Sequence, residues 1–115
     1  MSIKIYHNPR CSKSRQTLQL LRDNQVEPEI IEYLKTPPSR EELEQVLDML
    51  RVEPRELMRT KEKEYKQLGL DNPDLDRDTL INAMLKAPKL IERPIVIKDG
   101  KAVIGRPPEH VLEIL

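Results

Sequence analysis

The sequence is poor in the residues that build disulfide, metal and stacking sites. Its 115 residues include one cysteine and two histidines, so we expect neither an internal disulfide framework nor a tetrahedral zinc site. Aromatic residues make up 3%, all of them tyrosine, which leaves few flat surfaces for stacking bases or sugars. Because 20 basic residues balance 20 acidic ones, general binding to nucleic acid or to an anionic membrane is not expected.

Long apolar segments are also missing. No run approaches the ~18 residues of a membrane span, and residues 1–25 are too polar for a signal peptide. Charged residues reach 35%, compared with roughly 25% in an average soluble domain. We therefore expect a small cytoplasmic domain. We also predict a monomer that holds no bound cofactor and no metal.

The first third of the chain has the pattern of a βαβ unit. Polar and apolar residues alternate over 2–7, which predicts a strand with Ile3 and Ile5 on one face. A helix is predicted over 12–23 and a second strand over 29–33. Strand, helix and strand follow one another within about 30 residues, the length of a βαβ unit, so the two strands should be parallel.

A helical block follows. Ser39 with Glu42 three positions later is a capping box, and apolar residues at helical spacing come directly after it. Three further helices are predicted: residues 55–58, residues 61–67, and one capped by Asp76 or Asp78 that ends before Pro88.

The chain ends in a hairpin and a helix. Strands are predicted over 94–98 and 102–104, joined by Asp99-Gly100, a dipeptide typical of two-residue hairpin turns. A last helix opens at Pro107 and Pro108, and one of its faces should carry Val111, Ile114 and Leu115.

This element order is that of the thioredoxin arrangement. It predicts an α/β fold with a four-stranded mixed sheet, in which a βαβ unit and a hairpin with its helix share one sheet. We predict one thioredoxin-like domain over residues 1–115, with a helical insertion at about 39–87.

Cys11 is the first candidate for chemistry. It lies between a strand end and a helix start, where unpaired N–H groups and the helix dipole favour an anion. Arg10, Lys13 and Arg15 add cations nearby, and both effects favour thiolate over thiol. Ser14 occupies the resolving-cysteine position of a C-x-x-C motif. The alternative is that Cys11 is only a small buried hydrophobic residue.

The helix start that favours a thiolate would also bind an oxyanion. Arg93 stands just before the third predicted strand and Arg106 just after the fourth, and the fork of a guanidinium suits a tetrahedral oxyanion. Both could instead be ordinary solvated arginines. His7, four residues before Cys11, could stabilise a thiolate or simply end the strand, and spacing leaves both roles open.

These residues fall in segments that resemble the ArsC-type, glutaredoxin-dependent arsenate reductases. The first segment is H-N-P-R-C-S-K-S-R at residues 7–15, whose basic loop is similar to the chromosomal branch of the family. Further similar segments span the chain in order: residues 33–34, 36–40, 56–59, 68–70, 91–96, 105–109 and 111–115.

The resemblance implies a role for each residue around the cysteine. Cys11 would be the nucleophile, while His7 and Ser14 would lower its pKa and orient the thiolate. Asn8 would shape the loop that receives the substrate and would contribute to binding it.

The resemblance also implies a substrate site and a reaction. Arg59, Arg93 and Arg106 would hold the oxygens of arsenate and later of arsenite, and the Arg93–Pro94 peptide bond would be cis. The implied reaction reduces arsenate to arsenite, with glutathione as co-substrate and glutaredoxin as partner.

Other substrates and functions remain open at this stage. The substrate could be another oxyanion or a glutathionylated protein. The fold also serves Spx-type transcription regulators, which bind RNA polymerase, but those that sense redox state carry C-x-x-C and Ser14 removes that switch. A monothiol redox carrier is the third alternative.

Overall fold

Four short strands form one mixed sheet in the computed structural model, which describes residues 3–115. The strands are β1 (Ile3–Tyr6), β2 (Glu29–Ile31), β3 (Ile95–Lys98) and β4 (Lys101–Ile104), in the order β2-β1-β3-β4. β1 is parallel to β2 and antiparallel to β3, and β3 is antiparallel to β4. The predicted α/β fold, mixed sheet and parallel βαβ unit are confirmed. The first residue of the predicted strand, Ser2, lies outside the described residues.

The chain divides into two compact units. The first combines the chain up to Thr36 with Arg93–Leu115 and contains the sheet, and the second is Pro37–Glu92. The helical insertion predicted at about 39–87 falls within the second unit. The assignment of 1–115 to a single domain stays a prediction.

In the first unit, helix α1 (Ser12–Asp23) has the predicted bounds. Its buried residues recur at helical spacing: Ser14, Thr17, Leu18 and Leu21. The two leucines pack in one cluster with Ile5 of β1, Val96 of β3 and Val111. The sheet is thereby joined to α1 and to the C-terminal segment.

The hairpin turn between β3 and β4 is as predicted. Asp99 and Gly100 have φ values of 52° and 77°, and two successive positive values are what a type I′ turn requires. β3 and β4 pair directly across this turn, Lys98 opposite Lys101.

The C-terminal helix differs from the prediction. Pro108–Ile114 is a 3-10 helix, with three residues per turn, so Val111 and Ile114 lie on one face and Leu115 does not. Val111 is buried, whereas Leu115 is exposed.

The second predicted strand is also shorter than expected. It ends at Ile31 because the next residues form a turn, in which the N–H groups of Lys35 and Thr36 both donate to the carbonyl of Glu32.

The second unit contains α2 (Arg40–Leu50), α3 (Lys63–Gln67) and α4 (Arg77–Lys86), with 3-10 helices at Pro54–Leu57 and Pro88–Leu90. The predicted capping box is present: the Glu42 N–H donates to Ser39 Oγ and the Ser39 N–H donates to Glu42 Oε1. The helix predicted at 55–58 is the first of the two 3-10 segments.

The structure also decides between the two candidate caps of α4. Asp76 is the cap, and its Oδ1 accepts from the Thr79 N–H at 2.9 Å. Asp78 instead pairs with Arg40 of α2. Over residues 3–115, no helix is both long and apolar enough to cross a membrane.

Candidate functional site

Cys11 occupies the N-cap position of α1. Its backbone is extended and its carbonyl accepts from the Arg15 N–H at 3.0 Å, while its own N–H donates to the Asn8 carbonyl at 3.0 Å. The side chain is largely buried, with 8% of the residue exposed. The thiol therefore stands at the unpaired N–H groups of the first helical turn, as the sequence predicted.

The register of the sheet brings distant arginines to this cysteine. Tyr6, at the end of β1, pairs with Ile95, and Ile95 pairs with Ile104 at the end of β4. The segments after β1, before β3 and after β4 therefore meet at one edge of the sheet. Cys11, Arg93 and Arg106 belong to these three segments.

Both arginines act on the thiol. Arg106 Nη2 donates to Cys11 Sγ over 3.7 Å, and its Nε donates to the Arg93 carbonyl at 2.9 Å, which anchors the guanidinium. Burial raises the pKa of Cys11 and is the largest single influence. This effect of burial is opposed by the Ser14 N–H, by the charge and hydrogen bond of the Arg93 guanidinium, and by the Lys13 N–H. Together these groups lower the pKa of Cys11 below its ordinary value.

The source of positive charge differs from the sequence-based expectation. That expectation assigned it to the side chains of Arg10, Lys13 and Arg15. Lys13 acts on the thiol through its backbone N–H, and the Arg15 guanidinium donates to the Pro9 carbonyl at 2.9 Å. The guanidinium that lowers the pKa of Cys11 is that of Arg93.

The lowered pKa leads to a direct test. Thiolate absorbance at 240 nm, followed against pH with Cys11→Ser as the blank, should give a midpoint below the ~8.5 of a free thiol. Arg93→Ala should move the midpoint upward, because the thiolate loses a charge and a hydrogen bond. A midpoint at or above the free-thiol value in the unsubstituted protein would contradict the assignment of Cys11 as nucleophile.

His7 reaches the cysteine loop through Ser14. His7 Nδ1 and the Ser14 hydroxyl share a hydrogen bond of 2.6 Å, and Ser14 Oγ also accepts from the Asn8 N–H at 3.0 Å. Burial has the largest effect on the pKa of His7 and lowers it. Glu32 raises this pKa, whereas Arg22 and Arg15 lower it further. The lowered pKa favours the neutral imidazole, whose hydrogen bond holds Ser14 in place, while the Ser14 N–H faces the thiol.

The loop before the cysteine is fixed by its own hydrogen bonds. Asn8 Oδ1 accepts from the Arg10 N–H at 3.0 Å, the arrangement of an Asx turn. Asn8 thus shapes the loop geometrically, and its contact with substrate stays a prediction.

Arg59 belongs to the second unit. The segment before it and the segment before Arg93 form an antiparallel bridge, Met58 opposite Ile91. Arg59 Nη1 donates to Glu92 Oε1 at 2.8 Å and Nε donates to Glu62 Oε1 at 3.2 Å. The guanidinium is therefore paired with two carboxylates, and its role toward an oxyanion stays a prediction.

The peptide bond between Arg93 and Pro94 is cis, as the resemblance implied, and so is the bond between Arg106 and Pro107. The second cis bond was not predicted. Among residues 3–115 there is no group of three His, Cys, Asp or Glu side chains that could hold a metal ion.

Sequence reasoning missed the contact that fixes the end of β4 against α1. The single O–H of Thr17 lies between two acceptors, the Lys13 carbonyl at 2.8 Å and the Gly105 carbonyl at 3.3 Å. A Cβ at Gly105 would lie 2.5 Å from Thr17 Oγ1 and 2.9 Å from Pro94 Cγ. The signal available in the sequence was Thr17 itself, a polar residue on the buried face of α1.

Gly105→Ala should therefore destabilise the protein. The added methyl group must displace Thr17 or Pro94, which costs about 1–3 kcal/mol of unfolding free energy in a packed interior. Urea denaturation measures this loss. Adding Thr17→Ala should return part of it, because that change removes two of the three crowded atoms. Unchanged stability of the single variant would contradict the close approach.

A thiol at the N-terminus of the first helix of a thioredoxin-like sheet, with two arginines beside it, defines a thioredoxin-like protein with a single cysteine at the helix start. The sequence model of the ArsC family matches residues 6–114, and the chain belongs to this family.

Three relatives illustrate the similarity. The uncharacterized protein YfgD of Escherichia coli is 57% identical over 114 residues, covering 98% of this chain and 96% of that protein. The arsenate reductase of Haemophilus influenzae is 52% identical over 116 residues, covering 100% of both. The solved structure of the arsenate reductase from Vibrio cholerae has a TM-score of 0.97 and 54% identity, covering 100% of this chain and 98% of that one.

Proposed function

We propose that this protein reduces arsenate to arsenite, with Cys11 as nucleophile and glutathione and glutaredoxin as electron donors. The observation that carries the proposal is the placement of Cys11 Sγ at a helix N-terminus, within 3.7 Å of the Arg106 guanidinium and under the influence of Arg93. The names of the H. influenzae and V. cholerae relatives support arsenate as the oxyanion.

The same groups that favour a thiolate suit the substrate. Arsenate is a tetrahedral anion, and Arg93 and Arg106 supply guanidinium donors beside the sulfur. Arg106 is held by the Arg93 carbonyl, so its donors are already oriented before an anion arrives. Arg59 is proposed as a third arsenate ligand on the resemblance alone.

The proposed reaction balances with two external thiols. The Cys11 thiolate attacks As(V) and a hydroxyl leaves as water, which gives a thiol–arsenate adduct. Glutathione replaces a second hydroxyl, again released as water, so that arsenic carries both sulfurs. Glutaredoxin attacks the glutathione sulfur and takes it as a mixed disulfide, leaving the electron pair on arsenic as As(III). Water then displaces Cys11, and arsenite is released with the thiolate regenerated.

Ser14 explains why the donors must be external. The chain contains a single cysteine, and the position where a resolving thiol would stand holds a hydroxyl that bonds His7 and accepts from the Asn8 N–H. In this scheme the protein holds no bound cofactor, and glutathione acts as a co-substrate.

A coupled assay tests the proposal. Arsenate, glutathione, glutaredoxin and glutathione reductase are combined, and NADPH oxidation is followed with and without the protein. We expect arsenate-dependent oxidation with the unsubstituted protein and only background with Cys11→Ser. Absence of that oxidation would contradict the proposed function, and binding to RNA polymerase without reductase activity would favour the regulator instead.

A further inference from the structure

A groove lies beside the cysteine loop and has no part in the mechanism above. Residues 7–10 form one wall, and Glu32, Leu34 and Lys35, which follow β2, form the other. Its volume is about 270 Å³. All of these residues belong to the first unit. We call it the β2 groove.

The walls of the β2 groove are held by backbone hydrogen bonds. The His7 N–H donates to the Ile31 carbonyl at 2.8 Å, which ties the two walls together at one end. The Lys35 N–H donates to the Glu32 carbonyl at 2.9 Å, and Asn8 Oδ1 fixes the Arg10 N–H. The groove is therefore largely formed before a ligand arrives, which lowers the entropy lost on binding.

The groove offers charges of both signs around a short apolar surface. Arg10 and Lys35 are exposed cations, and across residues 3–115 the Arg10 guanidinium makes no ion pair. Lys35 Nζ lies 3.6 Å from Glu32 Oε1, on the surface, where such a pair is weak. Pro9 and Leu34 are the exposed apolar residues of the lining. This set complements a small ligand with two carboxylates and one ammonium group.

The groove also borders the nucleophile. Its loop wall ends at Arg10, one residue before Cys11, and the Asn8 carbonyl accepts from the Cys11 N–H at 3.0 Å. A ligand lying along this wall therefore reaches Arg10, the residue directly before the cysteine. His7, which lines the groove, is hydrogen-bonded to the Ser14 hydroxyl, and the backbone N–H of Ser14 acts on the thiol.

We propose that the β2 groove binds the small thiol that attacks the arsenic on Cys11, a thiol peptide with two carboxylates and one ammonium group. Arg10 and Lys35 hold the carboxylates, Glu32 holds the ammonium group, and the thiol is directed toward the cysteine loop. This assignment rests on the proposed function, because only that reaction requires an external thiol.

Binding is tested apart from turnover. Cys11→Ser, which forms no covalent adduct, is titrated with S-methylglutathione and followed by amide NMR shifts. We expect the shift changes to concentrate on residues 7–10 and 32–35. Glutathione diethyl ester, which lacks both carboxylates, should bind more weakly. Shift changes confined to other surfaces, or equal affinity for the diester, would overturn the assignment.

Kinetics supply the second arm. Arg10→Glu and Lys35→Glu should each raise the KM for glutathione about two- to fivefold, and the double variant about tenfold, because each exposed charge contributes modestly. The KM for arsenate should not change. Lys101→Glu, an equal charge change at an exposed residue of β4, is the control. A KM for glutathione equal to that of the control would overturn the assignment.

The two arms separate the inference from the proposed function. If the protein does not reduce arsenate, the proposed function fails, while the NMR titration still reports whether the groove binds the thiol peptide. If arsenate is reduced but the groove variants have the same KM for glutathione as Lys101→Glu, the proposed function stands and the groove assignment is wrong.

Discussion

Glutathione with glutaredoxin should support many turnovers of arsenate, whereas thioredoxin with its reductase, in the absence of glutathione, should support close to none. Thioredoxin acts by reducing a disulfide, and this chain holds one cysteine and cannot form an internal one. Ser14 stands in the resolving position, where its hydroxyl is engaged with His7. The expected difference is nearly all or none, because it depends on a bond that cannot form.

Arsenite formed per protein molecule, measured with each donor system at fixed arsenate, checks this expectation. Intact-mass measurement after addition of arsenate and glutathione should show adducts in the unsubstituted protein and none in Cys11→Ser. Many turnovers with thioredoxin as the sole donor would refute the mechanism of external thiols.

Much of the first unit could be predicted because its signals are local. Helix α1 has both predicted ends, and the Asp99-Gly100 turn follows from two residues that accept positive φ. The end of β2 could not be predicted, because it depends on the turn in which Glu32 accepts two N–H groups. The 3-10 form of the last helix could not be predicted either, since the spacing of Val111, Ile114 and Leu115 is that of an α-helix.

The site was predicted only in part, because only some of its features are set by local sequence. The position of Cys11 at a helix start is a local property and could be read from the sequence. The charge that acts on the thiol is not local, because the register of β1 with β3 brings Arg93 there. The prediction had assigned this charge to three basic residues nearer in sequence. Such pairing between strands far apart in sequence is set by the packing of the whole sheet.

Arg59 requires a different experiment from the other two arginines. Arg59→Ala would leave Glu62 and Glu92 without the guanidinium that pairs with both. Loss of activity could then arise from a changed structure, so unfolding free energy must be measured beside the KM for arsenate. Only a raised KM with unchanged stability would support the role that the resemblance implies.

Replacing Arg93 or Arg106 by alanine should lower kcat/KM for arsenate by about 10- to 150-fold, the equivalent of roughly 1.5–3 kcal/mol for a hydrogen bond to a charged group. Both guanidinium groups act on Cys11 Sγ, so arsenic bonded to that sulfur would carry its oxygens among their donors. Lysine should restore only part of the loss, because an ammonium group cannot donate as a planar fork. Arg77→Ala, a change of the same kind on α4, is the control and should leave kcat/KM unchanged. If both alanine variants keep kcat/KM within about twofold of the unsubstituted protein, the oxyanion does not bind between these arginines, since even one such hydrogen bond would cost more.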